Sequence, residues 1–152
     1  LNLGGASVLD AFAGSGAMGI ELLSRGADRC TFIDQDARAA TRVRRNLAKV
    51  GAENVAYAVL RGDACQLAER GRIAGAPFDV VFLDPPYALS ADVVSAMLEH
   101  LAAHGALRPG ATVVYERSAE APGLGVPGLI PVRTKRYGIT CVDLLEKGQD
   151  VD

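Results

Sequence analysis

The sequence predicts an α/β protein with a doubly wound sheet of seven strands. The sheet is expected to be mostly parallel, with one of the seven strands forming an antiparallel edge. Three observations indicate this Rossmann-like class. Short apolar segments alternate with longer segments of helical periodicity, which is typical of parallel strands joined by crossover helices. The segment 78–84 is apolar enough for a strand buried on both faces. The segment 131–148 interrupts the alternation with two strands that turn near Tyr137 and Gly138, which predicts the antiparallel edge.

The parallel strands are predicted from apolar runs, most of which end on a polar residue. In chain order these runs occupy residues 6–12, 29–36, 55–63, 78–84 and 110–118. A loop rich in glycine and proline at 121–131 then separates the fifth strand from the last two.

Four helices are predicted between the strands, at 14–26, 36–51, 64–71 and 90–105. Gly26 and Gly51 are suitable C-terminal stops, and Ser90 is a suitable N-cap. The second helix is predicted to bury one apolar stripe. That stripe consists of Ala40, Val43, Leu47 and Val50.

The composition is that of a single globular domain. The chain has 152 residues, of which 49% are hydrophobic and 22% are charged, and its net charge of −2 does not by itself indicate nucleic-acid binding. Neither a membrane span nor a secretory leader is visible, and Cys30, Cys65 and Cys141 are isolated, so we expect a cytoplasmic protein with reduced thiols. His100 and His104 have no evident third ligand, so no metal site is predicted.

A glycine-rich turn follows the first strand. Gly14, Gly16 and Gly19 fit the pattern G-x-G-x-x-G, in which glycine permits a tight turn and the close approach of a ligand. Asp34 ends the second strand, where a carboxylate can accept hydrogen bonds from both hydroxyls of a ribose. This combination indicates a cofactor that contains adenosine.

The acidic residues distinguish between two such cofactors. Asp10 precedes the glycine turn, where its negative charge suits a cationic sulfonium compound and would repel a pyrophosphate. Asp63, at the end of the third strand, can accept from an adenine amino group. Four acids thus end four successive predicted strands, namely Asp10, Asp34, Asp63 and Asp84. This pattern favours S-adenosylmethionine over a dinucleotide.

The sequence DPPY, Asp84 to Tyr87, ends the fourth strand. The Asp84 carboxylate and a backbone carbonyl held by Pro85 and Pro86 offer two rigid acceptors for the hydrogens of an exocyclic amine. Gripping both hydrogens directs the nitrogen lone pair at a methyl donor, which is catalysis by orientation and preorganised electrostatics. Tyr87 offers a flat face for a flipped base.

These segments resemble a known group of enzymes. VLDAFAGSGAMGIE, FIDQD, GDA and VVFLDPPY together resemble the class I S-adenosylmethionine-dependent methyltransferases that act on exocyclic amines of nucleic-acid bases. DAFAGSGAMGIELLSRGA (10–27), FLDPPY (82–87) and KRYG-x-T (135–140) resemble the bacterial RsmD-type enzymes, which methylate a guanine N2 amine in 16S ribosomal RNA.

The resemblance implies a Rossmann-like methyltransferase fold and a single class I methyltransferase domain over residues 1–152. Family members carry a segment before the first strand, so we expect an N-terminally truncated chain. The catalytic residues implied are Asp84, Pro85, Pro86 and Tyr87. The S-adenosylmethionine contacts implied are Asp10, Phe12, Ala13, Gly14, Gly16, Asp34, Gln35, Asp63, Ala64 and Asp84.

The implied partner is 16S ribosomal RNA or the small ribosomal subunit, bound by a monomer. We expect RNA phosphates to contact a basic patch of Arg133, Lys135 and Arg136. Three alternatives stay open. Methylation of adenine N6 in DNA uses the same amine chemistry, and a nicotinamide-dependent oxidoreductase would use the same glycine pattern. In the third, which is not enzymatic, the truncated chain binds the cofactor but lacks a competent RNA surface.

Overall fold

The fold was analysed in a computed structural model, which describes residues 3–52 and 54–149. Seven strands and four helices lie within these residues. They are β1 Ser7–Asp10, α1 Ala17–Ser24, β2 Arg29–Asp34, α2 Ala39–Lys49, β3 Ala56–Arg61, α3 Ala64–Arg70, β4 Phe78–Leu83, α4 Ala91–Ala103, β5 Leu107–Ser118, β6 Leu129–Tyr137 and β7 Thr140–Lys147. The extreme ends of the predicted 1–152 domain lie outside the described residues.

All seven strands form one sheet in the order β3-β2-β1-β4-β5-β7-β6. Strands β1 to β5 pair in parallel, and β7 pairs antiparallel with both β5 and β6. This confirms the predicted fold class. The antiparallel strand β7 lies between β5 and β6, so β6 forms the outer edge. The winding direction reverses between β1 and β4, and ligands of such sheets bind at the carboxyl ends of the strands at this position.

Two hydrophobic layers cover the faces of the sheet. On one face, Ile20 and Leu23 of α1 and Val43 and Leu47 of α2 pack against the strands around Phe32. On the other face, the apolar side of α4 packs over the central strands. Since β4 is buried on both sides, its continuous apolar sequence is explained. None of the described helices combines the length and the apolarity that crossing a bilayer requires.

The predicted apolar stripe of α2 is wrong at both ends. The buried residues are Ala39, Val43 and Leu47, whereas Ala40 is exposed and Val50, beyond the helix, is 57% exposed. The buried residues are spaced four apart, so Ala39 rather than Ala40 continues the row that Val43 and Leu47 form against the sheet. The helix also begins later than predicted. The Asp36 carboxylate accepts from Arg38 N, which holds residues 36–38 in a turn before the helix begins at Ala39.

The last strands begin earlier than predicted. Strand β5 begins at Leu107, where it pairs with Phe78 before a register shift accommodates Pro109 and Gly110. Strand β6 begins at Leu129, inside the predicted loop, and includes Pro131 next to another register shift. Proline is tolerated there because an edge strand leaves one side of its backbone without a ladder partner.

Candidate active site

Four carboxylates converge at one edge of the sheet. Asp10 is the last residue of β1 and Asp34 the last residue of β2. Asp84 directly follows β4, and Asp63 lies two residues after β3. These four strands are adjacent and parallel in the order β3-β2-β1-β4, so their carboxyl ends share one edge. The structure therefore brings together the strand ends that the sequence analysis singled out.

A first cavity of about 460 Å³ opens at this edge. Six of the predicted cofactor contacts line it, together with residues that the sequence analysis did not select. The complete lining is Ala11, Phe12, Gly14, Ile33, Asp34, Gln35, Gly62, Ala64, Asp84 and Pro86. The other four predicted contacts, Asp10, Ala13, Gly16 and Asp63, are not part of the lining.

The glycine turn is tied to Asp34. The Gly14 N–H donates to Asp34 Oδ2 at 2.8 Å, and the Asp36 N–H donates to Asp34 Oδ1 at 2.8 Å. Gly14 has φ +56°, a conformation that favours glycine, and its missing side chain leaves the cavity open. Arg42 of α2 donates to the Gly14 carbonyl at 2.9 Å, which braces the turn from behind.

Gly16 and Gly19 serve packing rather than the cavity wall. A Cβ at Gly16 would lie 3.0 Å from Val43, and one at Gly19 would overlap the Phe32 ring. These glycines therefore allow α1 to approach β2 and α2 closely. The G-x-G-x-x-G pattern thus combines one glycine at the cavity with two at the helix–sheet contact.

Asp10 lies beneath the glycine turn and is only 2% exposed. Its Oδ2 accepts from the Gly19 N–H at 3.1 Å. The pKa of Asp10 is raised to about 6, chiefly by burial and also by the charges of Asp84 and Asp34, against the lowering effect of the Gly19 hydrogen bond. The ionised form of Asp10 is therefore maintained at neutral pH at a cost in stability.

Asp63 has a structural role in addition to the predicted one. It is the N-cap of α3, and its Oδ1 accepts from Cys65 N at 2.8 Å and Gln66 N at 3.3 Å. The cap places the next residue, Ala64, in the cavity wall.

A second cavity of about 440 Å³ lies on the other side of Asp84. It contains the whole DPPY segment and the ends of β5 and β7. Its lining is Asp84, Pro85, Pro86, Tyr87, Leu89, Tyr115, Glu116, Arg117, Ser118, Ala121 and Thr140. Asp84 and Pro86 belong to both cavities, so they form the boundary where two bound molecules would meet.

The DPPY segment is rigid at the backbone and open at its side chains. The Pro86 carbonyl accepts from Leu89 N at 3.0 Å, which closes a turn after the two prolines. Asp84 is exposed to the cavity, and partial burial raises its pKa. The Tyr87 ring is 90% exposed and so available for stacking.

The sequence analysis selected no site residue on the β5 and β7 side of the second cavity. Glu116 ends the apolar run of the fifth strand, the same signal that identified the first four acids, which makes it a candidate cleft residue from the sequence alone. Arg117 pairs with Asp143, with Nε to Oδ2 at 2.7 Å, and Thr134 donates to Oδ1 of the same carboxylate at 2.6 Å. No local pattern indicates this pairing, because β7 becomes a neighbour of β5 only in the sheet.

The predicted basic patch lies along the edge strand β6. Arg133 and Lys135 face a small cavity of about 200 Å³ together with Tyr137, whose ring centroid is 5.2 Å from Lys135 Nζ. Arg136 occupies an alternate position of the strand and donates to the Gly138 carbonyl at 2.7 Å. The structure thus groups two of the three predicted residues. Within the described ranges, no cluster of histidine, cysteine and acidic side chains is arranged to hold a metal ion.

Comparisons with known proteins agree with this architecture. The family model described as Conserved hypothetical protein 95 matches residues 2–146. The chain is 35% identical over 141 residues to YlbH of Bacillus subtilis, named as a candidate rRNA methyltransferase, and the match covers 91% of this chain and 74% of that protein. It is 30% identical over 141 residues to ribosomal RNA small subunit methyltransferase D of Haemophilus influenzae, covering 91% and 70%.

A solved structure shares the fold at similar coverage. It is a candidate methylase of Haemophilus influenzae, with a TM-score of 0.81, 27% sequence identity and coverage of 97% of this chain and 89% of that one. The family match spans the sheet and both cavities. The chain therefore belongs to the Conserved hypothetical protein 95 family, which is the RsmD family.

Proposed function

We propose that this protein transfers a methyl group from S-adenosylmethionine to the N2 amine of a guanine in 16S ribosomal RNA. The observation that carries the proposal is the meeting of the two cavities at Asp84 and Pro86. A cofactor in the first cavity and a base in the second would have their reacting atoms next to the same carboxylate. Two relatives named for ribosomal RNA methylation support the RNA substrate.

The first cavity has the chemistry of a site for S-adenosylmethionine. Its lining contains two carboxylates, Asp34 and Asp84, and neither lysine nor arginine, which suits a sulfonium cation and disfavours a pyrophosphate. When bound, this cofactor supplies an electrophilic methyl group. Each Asp34 oxygen already accepts one backbone N–H, and its second acceptor position remains for a ribose hydroxyl.

The other predicted contacts are assigned to the rest of the cofactor. Among the described residues Asp63 Oδ2 accepts no hydrogen bond, and we assign it to the adenine amino group, while Asp10 places negative charge beneath the glycine turn. Phe12, Gln35 and Ala64 border the cavity. The remaining predicted contacts, Ala13 and Gly16, would act through the backbone of the turn. We propose these roles for a single methyltransferase domain over residues 1–152.

The reaction depends on how the DPPY segment holds the amine. Asp84 accepts from one N–H and the carbonyl of Pro85 from the other, because the Pro86 carbonyl is already engaged with Leu89. This grip directs the nitrogen lone pair at the place where a bound S-adenosylmethionine would supply its methyl carbon, and the new nitrogen–carbon bond would replace the carbon–sulfur bond of the cofactor. The proton that the nitrogen then loses passes to Asp84 or to water. The raised pKa of Asp84 makes it a better proton acceptor than an ordinary carboxylate.

The RNA is proposed to approach along the β6–β7 side. Arg133, Lys135 and Arg136 carry exposed positive charge, and Thr140, next to the β6–β7 turn, lines the base cavity. Phosphates bound by these residues would direct a flipped base toward Tyr87. We propose that the protein acts as a monomer in the cytoplasm on 16S RNA or the small subunit.

The decisive experiment measures the transfer of labelled methyl groups to small ribosomal subunits, free 16S RNA and duplex DNA. We expect transfer to a guanine N2 amine of the RNA, abolished by Asp84→Ala while the cofactor still binds in calorimetry. Glu99→Ala, at an exposed position of α4, is the matched control and should retain full activity. Transfer to adenine in duplex DNA, or calorimetric binding of NAD in place of S-adenosylmethionine, would contradict the proposal.

A further inference from the structure

Glu116 is a second carboxylate, beside Asp84, in the second cavity, which is proposed to hold the base. Leu83 of β4 pairs with Tyr115 of β5, so Asp84 and Glu116 follow on neighbouring strands, each one residue beyond that pair. Both line the second cavity, whereas only Asp84 also lines the first. A base whose amine contacts Asp84 would therefore present the adjoining part of its ring to Glu116.

The Glu116 side chain has no hydrogen-bond or ion-pair partner within the described part of the chain, although its backbone pairs with Val142 of β7. Neither its carboxylate nor that of Asp84 accepts a hydrogen bond there. The adjacent Arg117 does not neutralise it, because the Arg117 guanidinium is bound to Asp143 and to the carbonyls of Ser118 and Ala121. Partial burial raises the pKa of Glu116, and the nearby charge of Asp84 raises it further. The acid is thus held where its charge is unfavourable unless a hydrogen-bond donor enters the cavity.

The bases differ in the ring nitrogen beside their exocyclic amine. In guanine, the N2 amine lies between N3, which accepts, and N1, which carries a hydrogen and donates, and the N1 side sets guanine apart. In adenine and cytosine, the amine is next to a ring nitrogen that only accepts. A carboxylate at this position therefore attracts guanine and repels the lone pair of the other two.

We propose that Glu116 selects guanine by accepting a hydrogen bond from its N1–H, while Asp84 and the Pro85 carbonyl hold the N2 amine. The inference rests on the proposed function and deepens it, because the DPPY segment by itself accepts any exocyclic amine. Glu116 separates guanine methylation from adenine methylation. With adenine or cytosine in the cavity, the Glu116 carboxylate would have no N–H to accept from. The discrimination between guanine and these bases should therefore be large, because a site built to bind an N–H strongly rejects an analogue that lacks it.

The test compares two amines that differ at N1. The target nucleotide is first located on 16S RNA with the wild-type protein. Transcripts are then prepared with guanine or 2-aminopurine at that position. 2-Aminopurine keeps the amine, has an acceptor at N1 and lacks the oxygen at C6. Comparison of each variant with wild type on the same two bases removes any effect of that oxygen that is independent of Glu116. The value of kcat/KM is measured on both for wild type, Glu116→Gln, Glu116→Ala and the control Glu120→Gln, which changes an exposed glutamate just after β5.

We expect the wild type and Glu120→Gln to prefer guanine by at least about 100-fold. Glu116→Gln should lower kcat/KM on guanine about 10- to 100-fold. Its ratio of kcat/KM on guanine to that on 2-aminopurine should fall to within about tenfold, because the glutamine amide can donate to N1 of 2-aminopurine. The intrinsic reactivities of the amines cancel when the variant ratio is divided by the wild-type ratio. Affinity for S-adenosylmethionine should be unchanged in calorimetry, because Glu116 does not line the first cavity.

Two different failures are distinguishable. If the wild type transfers no methyl group to RNA guanine, the proposed function fails and this inference fails with it. In the other case the wild type methylates guanine, and both Glu116→Gln and Glu116→Ala bind the cofactor normally and prefer guanine over 2-aminopurine as strongly as the wild type does. The proposed function then stands, and the role of Glu116 is refuted.

Discussion

Asp10→Asn should make the stability of the protein less sensitive to pH. Asp10 is 2% exposed, and its pKa rises from an ordinary value of 3.8 to about 6, chiefly because burial disfavours the charge. An acid with a higher pKa in the folded state binds its proton more tightly there than in the unfolded state. The free energy of unfolding therefore falls as pH rises from about 4 to above 6. Asparagine carries no titrating charge at this position and lacks that loss.

The magnitude follows from the two pKa values. A difference of about two pKa units, at 1.36 kcal/mol each, corresponds to roughly 3 kcal/mol over the full titration. Most of this should be observed between pH 4 and pH 8. The variant should therefore gain stability relative to wild type by about 2–3 kcal/mol across that range. A change in the Gly19 hydrogen bond adds an offset that does not depend on pH, so the slope is diagnostic.

The assay is urea unfolding at four pH values between 4 and 8, followed by circular dichroism. Asp28→Asn is the matched control, since it makes the same chemical change at an exposed position before β2, and it should show no such slope. Cofactor affinity measured in parallel should fall for Asp10→Asn, because the proposed negative charge beneath the glycine turn is lost. A stability difference that stays constant from pH 4 to pH 8 would refute the assignment of a buried, ionised Asp10.

The remaining predictions concern the ion pair and the basic edge. Arg117→Met should lower the free energy of unfolding by about 3 kcal/mol in urea unfolding, because it leaves the Asp143 carboxylate buried without its cation. The double variant Arg117→Met with Asp143→Leu should recover most of that loss, because it removes the buried charge as well. Equal losses in the single and double variants would contradict this. Lys135→Gln should weaken RNA binding and reduce the slope of log K against log salt by about 0.7, as for one lost phosphate contact. Arg29→Gln, at the start of β2 and four strands away from β7, should leave the slope unchanged, and an unaltered slope in Lys135→Gln would exclude that contact.

Much of the first cavity could be predicted from the sequence because its signals are local. A polar residue directly after an apolar run identifies the carboxyl end of a strand, and parallel strands present those ends at one edge. Asp34 and Asp84 needed only this reasoning. The close approach at Gly14 needed only the absence of a side chain. The roles of these residues in binding stay predictions until the variants are measured.

The exact buried face of α2 and the role of Asp63 depended on the folded structure. Packing of α2 against the sheet buries Ala39 rather than Ala40, and the periodicity of the sequence fits either residue. Asp63 lies two residues after β3 and caps α3, whereas the sequence predicted only a residue at the end of a strand.

The sequence by itself determined the fold class, the glycine turn and the acids at the ends of the first four strands, since periodicity and strand-end polarity are properties of short segments. Only the tertiary structure decided the strand order, with β7 inserted between β5 and β6. That order places Glu116 beside Asp84 and Arg117 against Asp143, and so creates the second cavity. The physical reason is that these contacts join residues more than 20 positions apart, which become neighbours only when the sheet forms.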